Sequence, residues 1–236
     1  MKSNIIKVMC LVAAMLAFST ASQAQFRHFR QSLYLNGVIP TSDFASSTDG
    51  SVPLTFLNAG KGAMVGFGAG YRASYRFDIG MGEVAPYISG DLFWNMLGSG
   101  LRDNYLQANM DAPTYFNIPI MAGISYNYDE LNTRFPIIPF GEFGVGADIF
   151  MVTREGSSGN YYAYKPSTTV AWMLGAGVYL GNYVSVGAYY YGLGKHPVDY
   201  TSKTLKENTI AYAQDIAYGR QLRNIGSVAL RIGFHF

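Results

Sequence analysis

Apolar positions in this chain recur with a period of two rather than 3.6, over segments longer than most soluble strands. In residues 65–77 one face reads Val65, Phe67, Ala69, Tyr71, Ala73, Tyr75 and Phe77. The other reads Gly66, Gly68, Gly70, Arg72, Ser74 and Arg76. At about 3.3 Å per residue and a tilt near 45°, some eleven residues cross an apolar band of about 25 Å, so this segment is long enough to span one.

The alternation returns along the chain. Val84, Ile88, Leu92, Trp94 and Met96 oppose Glu83, Tyr87, Ser89, Asp91 and Asn95. Ile118, Ile120, Ala122, Ile124, Tyr126 and Tyr128 oppose Asn117, Gly123, Ser125 and Asn127. Phe143, Val145, Ala147 and Ile149 oppose Glu142, Gly144, Gly146 and Asp148. Further segments run from Val170 to Leu180, from Val184 to Tyr190 and from Ser227 to Phe236, and a weaker first one covers residues 30–38 with Leu33 and Leu35 on one face. The total is eight, an even number, as a closed single-chain bacterial barrel requires. The expected fold is all-β: an eight-stranded antiparallel transmembrane β-barrel.

The connections alternate in length. Long ones fall near 39–61, 97–114, 151–167 and 194–224; short ones fall near 78–83, 129–135 and at Gly181-Asn182. With short turns on the periplasmic side, both termini are expected there. The aromatics follow the same phase. Tyr75, Phe77, Tyr126, Tyr128, Phe234 and Phe236 fall at the periplasmic rim, and Trp94, Trp172 and Tyr190 at the outer rim, as two interfacial girdles. Pro86 and Pro139 fall near strand starts, whereas Pro119 sits deeper and predicts a bulge.

The first residues read as an export signal. Lys2 and Lys7 precede an apolar run from Val8 to Phe18, and Ser22 and Ala24 are small residues before a cut at Gln25. Residues 1–24 are thus expected to be removed, leaving a barrel domain over 25–236. The single cysteine, Cys10, lies in the signal, so the processed chain has no thiol, disulfide or thiolate metal site. Loss of Lys2 and Lys7 takes the formal charge from +2 to about zero, which excludes a nucleic-acid footprint. Apolar residues make up 49% of the chain without any spanning helix after Ala24; only a barrel then satisfies the backbone in lipid.

Taken with Asn117-Ile118-Pro119-Ile120, the glycine-rich strands around Gly144 and Gly175, and the terminal Phe236, the pattern resembles the small outer-membrane β-barrel family. This is the eight-stranded class that includes the OmpA barrel and OmpX-like proteins. The resemblance implies residence in the outer membrane of a Gram-negative bacterium, among its lipids and lipopolysaccharide. It also implies that Phe234 and Phe236 form the signal read by the barrel-assembly machinery. It implies no particular activity, because such barrels share architecture more than function.

Gly66-Phe67-Gly68-Ala69-Gly70 lacks the G-x-G-x-x-G spacing and a following helix, so its glycines are expected to make room for large lumen side chains. Arg72, Arg76, Asp91, Glu142, Asp148 and Arg231 all fall on the inward face. An eight-stranded interior is about filled by side chains, so these charges are expected to plug the lumen as an ion cluster. Glu142 is placed at its centre, gripped by Arg72 and Arg231. The alternative is a narrow channel for small solutes. His28, His196 and His235 are too far apart for a metal cluster, and no metal or cofactor is expected. A lipid A-modifying enzyme needs a serine beside a histidine at the outer leaflet; His196, in the fourth outer loop, has the right height, but nothing in the sequence places a serine beside it. That loop carries Lys195, Lys203, Lys206, Arg220 and Arg223 against Asp199, Glu207 and Asp215, and the third carries Tyr161, Tyr162 and Tyr164. Aromatics beside cations suit a glycan or protein ligand. The expected role is a monomeric, non-enzymatic barrel that supports the envelope and presents loops for recognition.

Overall fold

The computed structural model describes residues 28–42, 44–45, 62–128, 137–157, 160–181, 183–198, 200–206, 209–211 and 221–236. The export signal lies outside these residues. In chain order the elements are β1 (Phe29–Ser42), β2 (Gly66–Tyr75), β3 (Phe77–Asp78), β4 (Glu83–Met96), α1 (Ser99–Gln107), β5 (Thr114–Asn127) and β6 (Ile137–Val152). They continue with β7 (Glu155–Gly156), β8 (Asn160–Tyr164), β9 (Ser167–Leu180), β10 (Val184–Val198), β11 (Tyr200–Lys206), β12 (Thr209–Ala211) and β13 (Gln221–His235).

The large sheet runs β2-β1-β13-β10-β9-β6-β5-β4, and β2 pairs β4, so it closes. β3 prolongs β2 in the same register on β4, after a break at Arg76, which makes eight strands around the ring. Every pairing in the ring is antiparallel. Closure is staggered. Stepping across paired residues from Thr41 leads through Gly226, Gly192, Trp172, Val145, Ala122, Ile88 and Ala73 back to β1 at Gln31, ten residues below the start. With a rise of about 3.3 Å and a strand spacing of about 4.8 Å, that displacement sets a tilt of about 40°, within the range of membrane barrels.

The period-two faces land as the sequence lays them out. Leu35, Phe67, Ile88, Ile124, Val145, Leu174 and Ile232 are exposed on the outer wall, while Asn36, Arg72, Asp91, Ser125, Glu142, Tyr189 and Arg231 are buried inside. A soluble protein would invert this. The lumen leaves no room at its small positions: a Cβ on Gly144 would lie 2.7 Å from the Tyr87 hydroxyl, and Gly123 faces the same ring. The glycines are what admit Tyr87 to the interior.

Three expectations need correction. The ladders on both sides of Pro119 keep one register, so no residue is inserted there; Pro119 pairs Asp148 on β6, and the pairs flanking it on β4 are Gly90 with Ile120 and Phe93 with Asn117. The bulge is on β10 instead, between Gly192 and Gly194, with Gly194 at φ +89°. Second, β1 and β10 run further than their alternation, to Ser42 and Val198, so His196 belongs to a strand rather than to the fourth loop. Third, the long connections carry structure of their own. α1 joins β4 to β5, and β12-β11-β8-β7 form a second, four-stranded sheet at the end of the barrel away from the termini. Phe44 and Tyr105 reach back from these connections into the core, Phe44 packing edge-on against Tyr115 and Phe150 at 5.5 and 5.9 Å.

Candidate functional site

The lumen is organised as layers. In its middle, five side chains from five strands stack across the bore. The Arg72 guanidinium lies 3.9 Å from the Tyr87 ring centre and 5.5 Å from that of Tyr34. On the other face of the stack, Arg231 lies 4.2 Å from Tyr34 and 4.3 Å from Tyr189. Cations held over aromatic faces in this way gain most when water is excluded, and Arg231 is only 1% exposed.

Each guanidinium also has its own carboxylate. Arg72 pairs with Glu142, both side chains buried. Arg231 donates to Asp91 Oδ1 at 2.8 Å and, through Nε, to Asn36 Oδ1 at 2.9 Å; the Asn36 amide and the Tyr191 hydroxyl both donate to the same Asp91. The six inward charges are therefore not one cluster. Of the two arginines it is Arg72 that grips Glu142, and Arg231, expected on Glu142, turns to Asp91, with Tyr34 standing between the two guanidinium groups. Arg76 is at the terminal mouth, half-buried and 3.2 Å from Glu83, beside a cavity of about 240 Å³ lined by Arg30, Glu83, Asn127 and Tyr179.

Below the arginines, His235 bridges two strands: Nδ1 is 2.7 Å from Ser32 Oγ and Nε2 is 2.8 Å from Ser185 Oγ. Above them, at the far end, Asp148 finds a different partner. His196, fully buried, has Nε2 3.1 Å from Asp148 Oδ2 and Nδ1 2.9 Å from Ser167 Oγ. Sequence spacing alone does not bring Ser167 and His196 together, since they are 29 positions apart. The signal that was available is parity. Inward positions on β10 are the odd ones up to Leu193; the bulge adds one residue, after which Lys195 faces out and His196 faces in.

The aromatic positions sit on the outer wall. Tyr75, Phe77, Tyr126 and Phe234 are exposed near the terminal end, Tyr128 and Phe236 half-buried there, and Phe236 exchanges backbone hydrogen bonds with Gln31. Toward the far end Trp94 stacks on Phe116 at 6.1 Å, and Trp172 lies 5.3 Å from Tyr190. On the far-end sheet, Tyr161, Tyr162 and Tyr164 belong to β8, which pairs β11, the strand of Lys203 and Lys206. Arg154 pairs with Asp111 at 3.3 Å and lies 5.7 Å from the Tyr161 ring. Asp199, Glu207, Asp215 and Arg220 lie outside the described residues. Among the described residues no group of three or more metal-ligating side chains converges.

No protein-family model and no curated protein sequence matches the chain. Among solved structures it is similar to Neisserial surface protein A, at 15% identity and a TM-score of 0.46 over 88% of this chain and 95% of that one. It is similar also to the outer membrane protein OprG from Pseudomonas aeruginosa, at 12% identity and 0.42, over 88% and 95%. A major outer membrane protein from Thermus thermophilus aligns at 10% identity and 0.41, over 88% and 99%.

Proposed function

We propose that this chain is an outer-membrane barrel of a Gram-negative bacterium, with a closed lumen and both termini in the periplasm. Its work is to support the envelope and to display the far-end sheet to a glycan or protein ligand. The exterior supports the membrane placement, since a wall of exposed Leu, Ile, Val and Phe bounded by aromatic residues is stable in lipid and aggregates in water. Lipids and lipopolysaccharide would surround that wall in a monomer, and β13, which ends in Phe236, would be the segment recognised during assembly.

The observation that carries the closed lumen is the Tyr87-Arg72-Tyr34-Arg231-Tyr189 stack, with Glu142 and Asp91 neutralising its two charges. An ion crossing that layer must break two buried ion pairs, and each stranded charge costs about 3–5 kcal/mol. Conductance of the purified protein in planar bilayers tests this. A flat current trace is expected; reproducible unitary steps would replace this reading with a narrow solute channel.

A further inference from the structure

Where the bulge turns β10, the barrel wall changes construction. The ladder between β9 and β10 ends at Gly192 with Trp172. Beyond it β10 stays with β13 as far as Val198, and β9 stays with β6 as far as Ser167. Across the seam between them, side-chain contacts take over from the ladder. Thr169 Oγ1 donates to the Leu193 carbonyl at 2.6 Å, and His196 contacts Ser167, Thr169 and Asp148.

Those contacts fix where the imidazole proton sits. Nε2 is 3.0 Å from the Leu193 carbonyl, 3.0 Å from Thr169 Oγ1 and 3.1 Å from the Asp148 carboxylate. A carbonyl and a carboxylate have no proton to give, and the Thr169 proton is already committed to Leu193. Nε2 must therefore be the N–H. In the neutral ring Nδ1 is then a bare acceptor, and Ser167 is the hydroxyl that fills it. The order is a serine donating to a histidine base whose opposite N–H is held by the Leu193 carbonyl, with the buried Asp148 carboxylate 3.1 Å from the same nitrogen as the nearby counter-charge, an arrangement that can activate a serine nucleophile. His235 offers the contrast: its two nitrogens meet the hydroxyls of Ser32 and Ser185, with no carboxylate behind them.

We propose that Ser167, His196 and Asp148 form a nucleophilic site that cleaves carboxylic esters at the far mouth of the barrel. This goes beyond the envelope role and replaces the expectation of a barrel without enzymatic activity. Ser167 keeps partial exposure between exposed Pro166 and Thr168, while His196 and Asp148 are shielded from water. As Ser167 Oγ bonds to the ester carbon, its proton passes to Nδ1, and the Asp148 carboxylate stabilises the imidazolium. The carbon–oxygen bond to the alcohol breaks, and the alcohol leaves with the proton from Nδ1. Water then adds to the acyl-serine by the same base, releasing the acid and restoring Ser167. The ester is either a soluble one reaching the mouth from outside or that of a lipid at the level of Trp172, whose neighbour Val170 is 80% exposed on the outer wall.

The groups facing the imidazole are Asp148 and Phe150 from β6, Ser167 and Thr169 from β9 and Leu193 from its own strand, with Arg223 its backbone partner on β13. The test uses the full chain folded in detergent micelles and in phospholipid vesicles, treated with a fluorophosphonate. An adduct is expected on Ser167 by mass spectrometry, absent in Ser167→Ala and unchanged in Ser185→Ala. His196→Gln, which keeps a hydrogen-bonding side chain but no base, should label at least about a hundredfold more slowly. Asp148→Asn should also label more slowly than the parent chain, because the imidazolium loses its counter-charge. A purely structural stitch across the seam gives Ser167 no such reactivity. Release of p-nitrophenol from a short-chain ester assigns a soluble substrate, and release of fatty acid from the vesicles assigns a lipid one. No adduct on the folded wild type, or labelling indifferent to His196, overturns the proposal.

Discussion

Arg231 and Asp91 meet at 2.8 Å in the middle of the bore, on strands that lie three apart around the ring. Their pairing ties β13 to β4 directly across the lumen, which backbone ladders between neighbours do not. Asp91 also accepts from Asn36 and Tyr191, so one carboxylate collects three donors from three strands. Replacing it with alanine strands a guanidinium that is 1% exposed. The expected loss is about 3–5 kcal/mol of unfolding free energy in micelles, read by urea titration. Asp91→Asn, which keeps acceptor and shape, is expected to lose less. Equal losses in the two variants would mean that the acceptor and shape kept by asparagine count for nothing there and that the lost charge sets the whole cost.

The lipid-facing wall makes the opposite demand. Leu174 and Val145 are exposed on it, among its apolar side chains. Arginine at either position is expected to cost about 2–4 kcal/mol in a bilayer. Arginine at Gln107, exposed at the end of α1, is expected to change stability by less than about 0.5 kcal/mol. Folding titrations in vesicles decide the matter: similar costs at the three sites would contradict the assignment of the outer wall to lipid.

Closure depends on β13, which pairs β1 and β10 along almost its whole length. Phe236 extends that pairing through reciprocal backbone bonds with Gln31. Phe236→Asp is expected to leave the protein unassembled, seen as loss of the heat-modifiable band from the membrane fraction. An undiminished band would separate the terminal aromatic from assembly.

Much of this was legible in the residues. Period two in a barrel is unambiguous, because one face meets lipid and the other the lumen, and so strand number, closure and the inward placement of Arg72, Glu142 and Arg231 follow from parity alone. Partner choice was not legible. Arg231 stands near the height of Glu142, but Tyr34 fills the space between the guanidinium groups, and a side chain's volume across the bore leaves no mark on its neighbours in sequence. The far end was hidden for a different reason. Gly192-Leu193-Gly194 reads as another pair of small residues in an alternating strand, yet it inserts a residue and reverses the parity of everything after it. With that reversal missed, His196 looks like a loop residue with no serine beside it.

The bulge is therefore the feature on which the far-end site depends, and it can be tested separately from chemistry. Gly194 has φ +89°, a conformation that costs a residue with a Cβ about 1–2 kcal/mol. A Cβ there would also lie 2.5 Å from Thr169 Oγ1 and 2.7 Å from the Val170 carbonyl, the atoms across the seam. Gly194→Ala is thus expected to push β10 from β9 above Trp172 and to leave the arginine stack untouched, because the β9–β10 ladder from Leu180 to Trp172 does not involve the bulge. Amide exchange should then rise for residues 194–198 and 167–170, with residues 174–180 and 184–190 exchanging as in the parent chain. Faster exchange spread over the whole barrel would show that the bulge supports global stability instead. An unchanged profile would mean that the seam absorbs the extra methyl, and that His196 owes its inward placement to something other than Gly194.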